Sequence, residues 1–187
     1  MKKLLLPTVS VLLCALIIAT FPTEADAAIY RDTVRLHIIA NSDSEEDQEL
    51  KIAVRDGILE EYGALLGESH SAKAAAASIS TILPQIEESA KSIVTERGFD
   101  YSVKALLTEE YYETRDYGSF SLPAGNYASL QIILGKGKGK NWWCVMYPPM
   151  CLGASVDSKD GYTKEETKLI SGKYRVKFKI LELISRL

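Results

Sequence analysis

At Gly98 the hydrophobic period of this chain switches from helical to strand spacing, and that switch limits the fold more than any other feature. Before it, Ala72, Ala75, Ala76, Ile79, Leu83, Ile86, Ala90, Ile93 and Val94 form one stripe at helical spacing. After it, Phe99, Tyr101, Val103, Ala105 and Leu107 alternate with Asp100, Ser102, Lys104 and Leu106, the period of a half-buried strand. The stripe predicts a helix from about Ser71 to Arg97, kinked at Pro84 and closed by Gly98.

Other segments follow the same two periods. Thr33 to Ala40 reads as a strand with Val34, Leu36 and Ile38 on one face and Arg35, His37 and Ile39 on the other. Asn41 to Asp47 then supplies capping side chains followed by carboxylates at a helix start. Leu50, Val54, Ile58 and Tyr62 recur every fourth residue along that helix, which Gly67 can end. Residues 108–125 read as a long connection. Tyr127–Leu134 and Asn141–Tyr147 read as strands of a hairpin with a wide glycine-rich loop. Tyr174, Val176, Phe178 and Ile180 alternate with Arg175, Lys177 and Lys179 in a last strand, and 181–187 can finish as a helical turn. The expected fold is α+β: a mainly antiparallel sheet with two long helices packed on one face, in a single domain.

The leading segment sets the expected compartment. Lys2 and Lys3 precede an uncharged run from Leu4 to Ile18, and Ala25-Asp26-Ala27 follows, in the order of a secretory signal cut after Ala27. The division is a signal peptide at 1–27 and an α+β domain at 28–187. The apolar run is shorter than the ~20 residues of a comfortable span and contains Pro7, with an uncleaved anchor as the competing reading. A net charge of −3 removes the basic field of a general nucleic-acid binder, so no nucleic-acid partner is expected.

Few residues suggest bond-making chemistry. Two histidines, His37 and His70, and three scattered cysteines are too sparse for a zinc centre, and no metal or other cofactor is expected. The acids at 43–47 lack calcium-loop spacing and read as helix capping. His37, Asp43 and Cys144 supply the residue types of a thiol triad, but nothing in the sequence brings them together. Cys144 and Cys151 remain after signal cleavage, and an even pair in an exported chain reads as a disulfide, two buried free thiols being the alternative. Gly135 to Lys140, G-K-G-K-G-K, lacks the Ser/Thr and the helix of a P-loop. Its lysines form either a solvated turn or a basic finger for lipid headgroups or an acidic partner. Of the 16 aromatic residues, ten lie between Phe99 and Tyr147, a surplus suited to binding anchors. In the run from Trp142 to Tyr147 both strand faces are apolar, so the strand is either covered on both sides or docks a partner.

Three segments carry a resemblance: L-H-I-I-A-N-S-D-S-E-E-D-Q-E-L-K-I-A-V-R-D (36–56), R-D-Y-G-S-F-S-L-P-A-G-N-Y (115–127) and L-G-K-G-K-G-K-N-W-W-C-V-M-Y-P-P-M-C-L (134–152). Together they resemble the stage II sporulation protein R family. The resemblance implies a non-enzymatic signal, made in the forespore and secreted into the space between the two septal membranes. There it triggers a mother-cell membrane aspartic protease, stage II sporulation protein GA, to process the sigma-E precursor. Lys136, Lys138, Lys140, Trp142, Trp143 and Tyr147 are the expected contacts on the protease's extracytoplasmic face, with peripheral membrane contact as an accompaniment. The competing classes are an exported thiol hydrolase using Cys144 and a cell-envelope-binding structural protein.

Overall fold

The computed structural model describes residues 7–11, 13, 14, 24–117, 120–149, 167 and 170. The elements in chain order are α1 (Glu24–Arg31), β1 (Val34–Ile39), α2 (Glu45–Gly67), α3 (Ala72–Glu96), β2 (Val103–Tyr112), β3 (Arg115–Asp116), β4 (Ser121–Leu122), β5 (Gly125–Leu134) and β6 (Asn141–Tyr147). The strand expected at 174–180 and the turn at 181–187 lie outside the described residues.

Both long helices begin where their side chains can satisfy the first free amides. The Ser71 hydroxyl accepts from Ala74 N, and the Ser44 hydroxyl accepts from Asp47 N at 3.3 Å. Pro84 sits within the span of α3. α2 and α3 pack side by side and approach closely at Gly57, where a Cβ would stand 2.5 Å from Ile93 Cδ1. A side chain at 57 would first have to displace the tip of Ile93, with no backbone atom in its way.

The sheet order is β2-β5-β1-β6. β2 and β5 are antiparallel, β1 and β6 are antiparallel, and β1 and β5 are parallel. The α+β architecture with two helices on one mostly antiparallel sheet is present. The hairpin expected between Tyr127 and Tyr147 is not: β1 lies between β5 and β6, so the 135–140 loop bridges over its end. Glycine density suggested the wide loop of a hairpin, but the connection passes over the end of β1 and its glycines allow close passage past another segment. The connection expected at 108–125 is also shorter, since β2 runs on to Tyr112 and a small β3–β4 ribbon follows.

Alternation divides the sheet into two faces. Val34, Leu36, Ile38, Leu130, Ile132 and Leu134 join Leu50, Val54, Ile58, Ile79, Ile86 and Val94 in the main core beneath the helices. Burial of this apolar surface is the dominant favourable term in the fold. The opposite face carries Arg35, His37 and a second cluster of Ile29, Tyr112, Phe120, Leu122, Tyr127, Val145 and Ile170. A register shift between Val34 and Arg35 opposite β6 turns both Met146 and Tyr147 into the main core.

α1 runs across the expected cleavage point after Ala27. Beyond that point Ile29 is fully buried, Tyr30 donates its hydroxyl to Ala124 O at 3.0 Å, and Thr33 bonds Ile29 O. These anchors all lie on the C-terminal side of the expected cut. Among the described residues, no helix is long and apolar enough to cross a membrane.

Candidate functional site

The lysine loop is held through its backbone. Lys136 N donates to Asn41 Oδ1 at 3.0 Å, Lys138 N to Asn41 O at 3.2 Å, Gly139 N to Ala40 O at 2.8 Å and Lys140 N to Asp43 Oδ1 at 2.7 Å. From beneath, the buried Lys51 donates Nζ to Lys140 O at 3.0 Å and to Gln48 Oε1 at 2.6 Å. Burial pushes the Lys51 ammonium below the ordinary lysine range, partly opposed by nearby Asp43. A Cβ on Gly139 would stand 2.1 Å from Ser42 O, so only glycine permits this passage. The side chains of Lys136, Lys138 and Lys140 remain exposed. The result is a basic spur with an ordered backbone and free charges.

The platform beneath the spur is the capping segment at 41–47. Asp47 is buried and accepts from Asn41 Nδ2 at 2.9 Å and Ser42 Oγ at 2.5 Å. Burial alone would raise its pKa, but the hydrogen bonds from Ser42, Asn41 and Tyr101 outweigh it and leave the carboxyl below its usual range. Asp43 holds the loop amide, Ser44 caps α2 and Asp47 knits the turn, which gives the acidic run a structural occupation. Among the described residues, no group of three His, Cys, Asp or Glu could hold a metal ion.

The second face holds a buried polar and aromatic cluster. Arg35 has no exposed surface. Its guanidinium carbon lies 3.9 Å from the Tyr112 ring centroid and 5.0 Å from that of Tyr127, and Nη2 donates to the Tyr117 hydroxyl. Stacking a desolvated guanidinium on aromatic faces offsets part of its lost hydration, by about 2 kcal/mol. Two strand positions along, His37 is buried with Nδ1 2.9 Å and 3.0 Å from the two Glu110 carboxylate oxygens. Ser129 donates to Glu110 at 3.1 Å and pairs with the Tyr112 hydroxyl at 2.6 Å. Burial, the largest influence, and nearby Glu110 push the Tyr112 phenol far above its ordinary range, against the Ser129 hydrogen bond. The His37 ring stacks on Trp143 at 3.6 Å, and Arg115 lies 4.9 Å from the Trp143 centroid.

This cluster has a carboxylate–imidazole pair, the first two parts of a relay, but among the described residues no nucleophile completes it. The other nitrogen, His37 Nε2, is buried without a hydrogen-bond partner among the described residues. The Ser129 hydroxyl is engaged by Glu110 and Tyr112. The three residues imagined as a thiol triad stand apart: His37 pairs with Trp143 while Cys144 pairs with Leu36, on the opposite face of the sheet, and Asp43 binds the Lys140 amide. Cys144 is disulfide-bonded, so it has no thiolate to offer. Cys151 lies outside the described residues.

The expected contact residues are therefore dispersed. Trp142 is half-buried on the helix side with Arg55 4.4 Å above its ring, whereas Trp143 is half-buried on the other side. Tyr147 is 7% exposed, inside the main core. β6 is covered on both faces within the chain itself, which accounts for its uniformly apolar run. Sequence reasoning did not mark Arg35, Glu110, Tyr112, Tyr117, Tyr127 and Ser129 as site residues. The available signal was Arg35 and His37 on one strand face, an inner polar face that aromatic residues must line.

A family model described as Stage II sporulation protein R (spore_II_R) matches residues 30–157. The chain belongs to this family. A curated relative, stage II sporulation protein R of Bacillus subtilis (strain 168), is 34% identical over 149 residues, covering 80% of this chain and 65% of that protein. The match spans just under two thirds of the relative's length. No solved structure matches the chain. The family region begins at Tyr30 and takes in the Arg35–His37 cluster, the capping platform, the lysine spur and both tryptophans. Membership assigns the chain a sporulation role, and the family's description names no reaction.

Proposed function

We propose that this chain is an exported signal of sporulation that works by being bound. It leaves the forespore through its N-terminal secretory segment and enters the space between the septal membranes. There it engages the extracytoplasmic face of stage II sporulation protein GA, the membrane-embedded aspartic protease, which then processes the sigma-E precursor. Membership of the family over residues 30–157 carries this reading. The resemblance of the quoted segments supplies the partner.

The contact surface in this reading is the lysine spur. Three exposed ammonium groups on a backbone clamped to Asn41 and Asp43 present charge with little ordering cost on binding. Lys136, Lys138 and Lys140 contact acidic groups of the protease, and near an anionic membrane surface each contributes about 1 kcal/mol of attraction. Trp142 and Trp143 flank the base of the spur from opposite faces. Activation follows if binding favours the active arrangement of the protease over the inactive one, and it extends only as far as that differential affinity.

The test is co-expression of the full chain with the protease and the sigma-E precursor in a non-sporulating host, read as precursor cleavage. Cleavage is expected with the exporting chain and not with a chain lacking residues 1–27. Cleavage that is equal with and without export would overturn the reading. Lys136→Gln, Lys138→Gln and Lys140→Gln together are expected to reduce cleavage while secretion persists, and undiminished cleavage would remove the spur as the contact.

A further inference from the structure

Residues on both sides of the expected cut belong to one helix. α1 runs unbroken from Glu24 to Arg31 and carries the bond between Ala27 and Ala28 at its centre. An α-helix rises about 1.5 Å per residue and ties each amide to the carbonyl four residues back. A peptidase takes its substrate extended, at about 3.3 Å per residue, so that its own backbone can pair with that of the substrate. While α1 is formed, the bond is in the wrong conformation to be cut.

What keeps α1 formed lies just beyond the bond. Asp32 N donates to Ala28 O at 2.9 Å and Thr33 Oγ1 to Ile29 O at 2.6 Å, which closes the helix end. Ile29, the second residue past the bond, has no exposed surface. Tyr30 donates to Ala124 O at 3.0 Å and sets its ring edge-on to Tyr127 at 5.2 Å. The same ring lies over Gly125, where a Cβ would stand 2.6 Å from Tyr30 Cε1. Presenting the bond in extended form therefore draws Ile29 out of its cluster with Tyr112 and Tyr127 and lifts Tyr30 off the start of β5.

We propose that docking of α1 on the sheet shuts the bond between Ala27 and Ala28 to signal peptidase, so that the chain is cut only before this part of it folds. The proposal rests on the secretory reading of residues 1–27. Cutting and folding then compete. A chain cut first is released, whereas a chain that folds first keeps the apolar run from Leu4 to Ile18 and stays held at the membrane. A protease reaches a folded bond through the opened population. Full burial of Ile29 together with the Tyr30 hydrogen bond puts that population at about one in a hundred.

Refolding of the purified full chain in detergent micelles tests this, with signal peptidase added either at dilution from urea or after folding is complete, and the new Ala28 terminus read by mass spectrometry. Cutting of the prefolded chain is expected to be about a hundredfold slower. Ile29→Ala weakens the docking and speeds cutting of the prefolded chain at least about tenfold, while cutting during refolding and protection of the Leu36 and Ile132 amides stay unchanged. If that variant does not fold, Tyr30→Phe removes only the bond to Ala124 and speeds the same reaction about fivefold. Equal rates for the two orders of addition would overturn the proposal and leave the export reading standing, as would variants cut no faster than the parent. A bond left intact in both orders, by a peptidase active on another exported chain, would bring down the reading of residues 1–27 and the proposal together.

Discussion

Gly139→Ala is the substitution that most sharply tests how the lysine spur is held. The added Cβ would stand 2.1 Å from the Ser42 carbonyl oxygen, 2.5 Å from its carbon and 2.9 Å from Ala40 Cβ. Two of these are backbone atoms and none is the far end of a flexible side chain, so the loop must lift. Lifting it breaks the Gly139 N and Lys138 N bonds to 40–41 and strains the Lys140 N bond to Asp43. At a net ~1 kcal/mol for each hydrogen bond, the loss is about 2–3 kcal/mol. Leaving the buried Lys51 ammonium without Lys140 O adds about 1 kcal/mol more. Ordinarily Gly→Ala stabilises by restricting the unfolded chain, by about 0.4–1 kcal/mol, so even the sign of the effect is diagnostic. Urea unfolding followed by circular dichroism measures it, with the triple lysine-to-glutamine variant as the comparison. That variant keeps the backbone clamp and is expected to unfold within about 0.5 kcal/mol of the unaltered chain. A Gly139→Ala variant as stable as the parent, or more stable, would refute the clamp.

Trp143→Ala removes a ring stacked on His37 and set edge-on to Tyr112 at 4.9 Å. A loss of about 2–3 kcal/mol is expected in urea unfolding, below the fully buried range because the ring is half-exposed. Stability should fall as pH rises above ~10: burial raises the Tyr112, Tyr62 and Tyr147 pKa values, so unfolded tyrosines lose protons that the folded chain retains. Urea midpoints between pH 8 and 11 check this, and a flat profile would contradict the burial argument. At the acid end Asp47 acts oppositely, since its folded pKa is depressed: its stabilisation is present above about pH 4 and fades as pH falls below that, which Asp47→Asn should abolish. Reducing the Cys144 disulfide should lower stability by about 2–3 kcal/mol, measured as a urea midpoint with and without reductant.

Local structure is more legible in this sequence than long-range structure, for a physical reason visible in particular residues. Ser71 and the stripe from Ala72 to Val94 define α3 because a cap and a 3.6-residue period act within a few turns. Asn141–Tyr147 matches β6 to the residue. The insertion of β1 between β5 and β6 was illegible, because glycines needed for a hairpin turn and glycines needed to pass Ser42 look alike in sequence. What distinguishes them is a contact nearly a hundred residues distant. The Arg35 cluster was hidden similarly: Tyr112, Tyr117 and Tyr127 come from three separate segments and meet only through the strand order. For the candidate site, exposure of the three lysines was legible from polarity and glycine content. The division of Trp142 from Trp143 followed from strand alternation, while the burial of Tyr147 depended on a register shift that no local pattern announces.

That division changes what kind of recognition the chain offers. Had the two indoles shared a face with Tyr147, the spur's neighbourhood would be an apolar anchor, with affinity dominated by buried area and insensitive to salt. Instead each half-buried indole already carries an arginine over its ring, Arg55 on one side and Arg115 on the other, and Tyr147 is committed to the core. A partner reaching this end of the sheet meets cations first: Lys136, Lys138 and Lys140 on a fixed backbone, with guanidinium groups over the flanking indoles. Charges displayed this way favour fast, salt-sensitive encounter more than tight burial. A signal released into a narrow space beside its receptor has little need of high intrinsic affinity, since confinement keeps its local concentration high. In the proposed role, the fold keeps its aromatic surplus for its own second face and leaves fixed charge as its outward message.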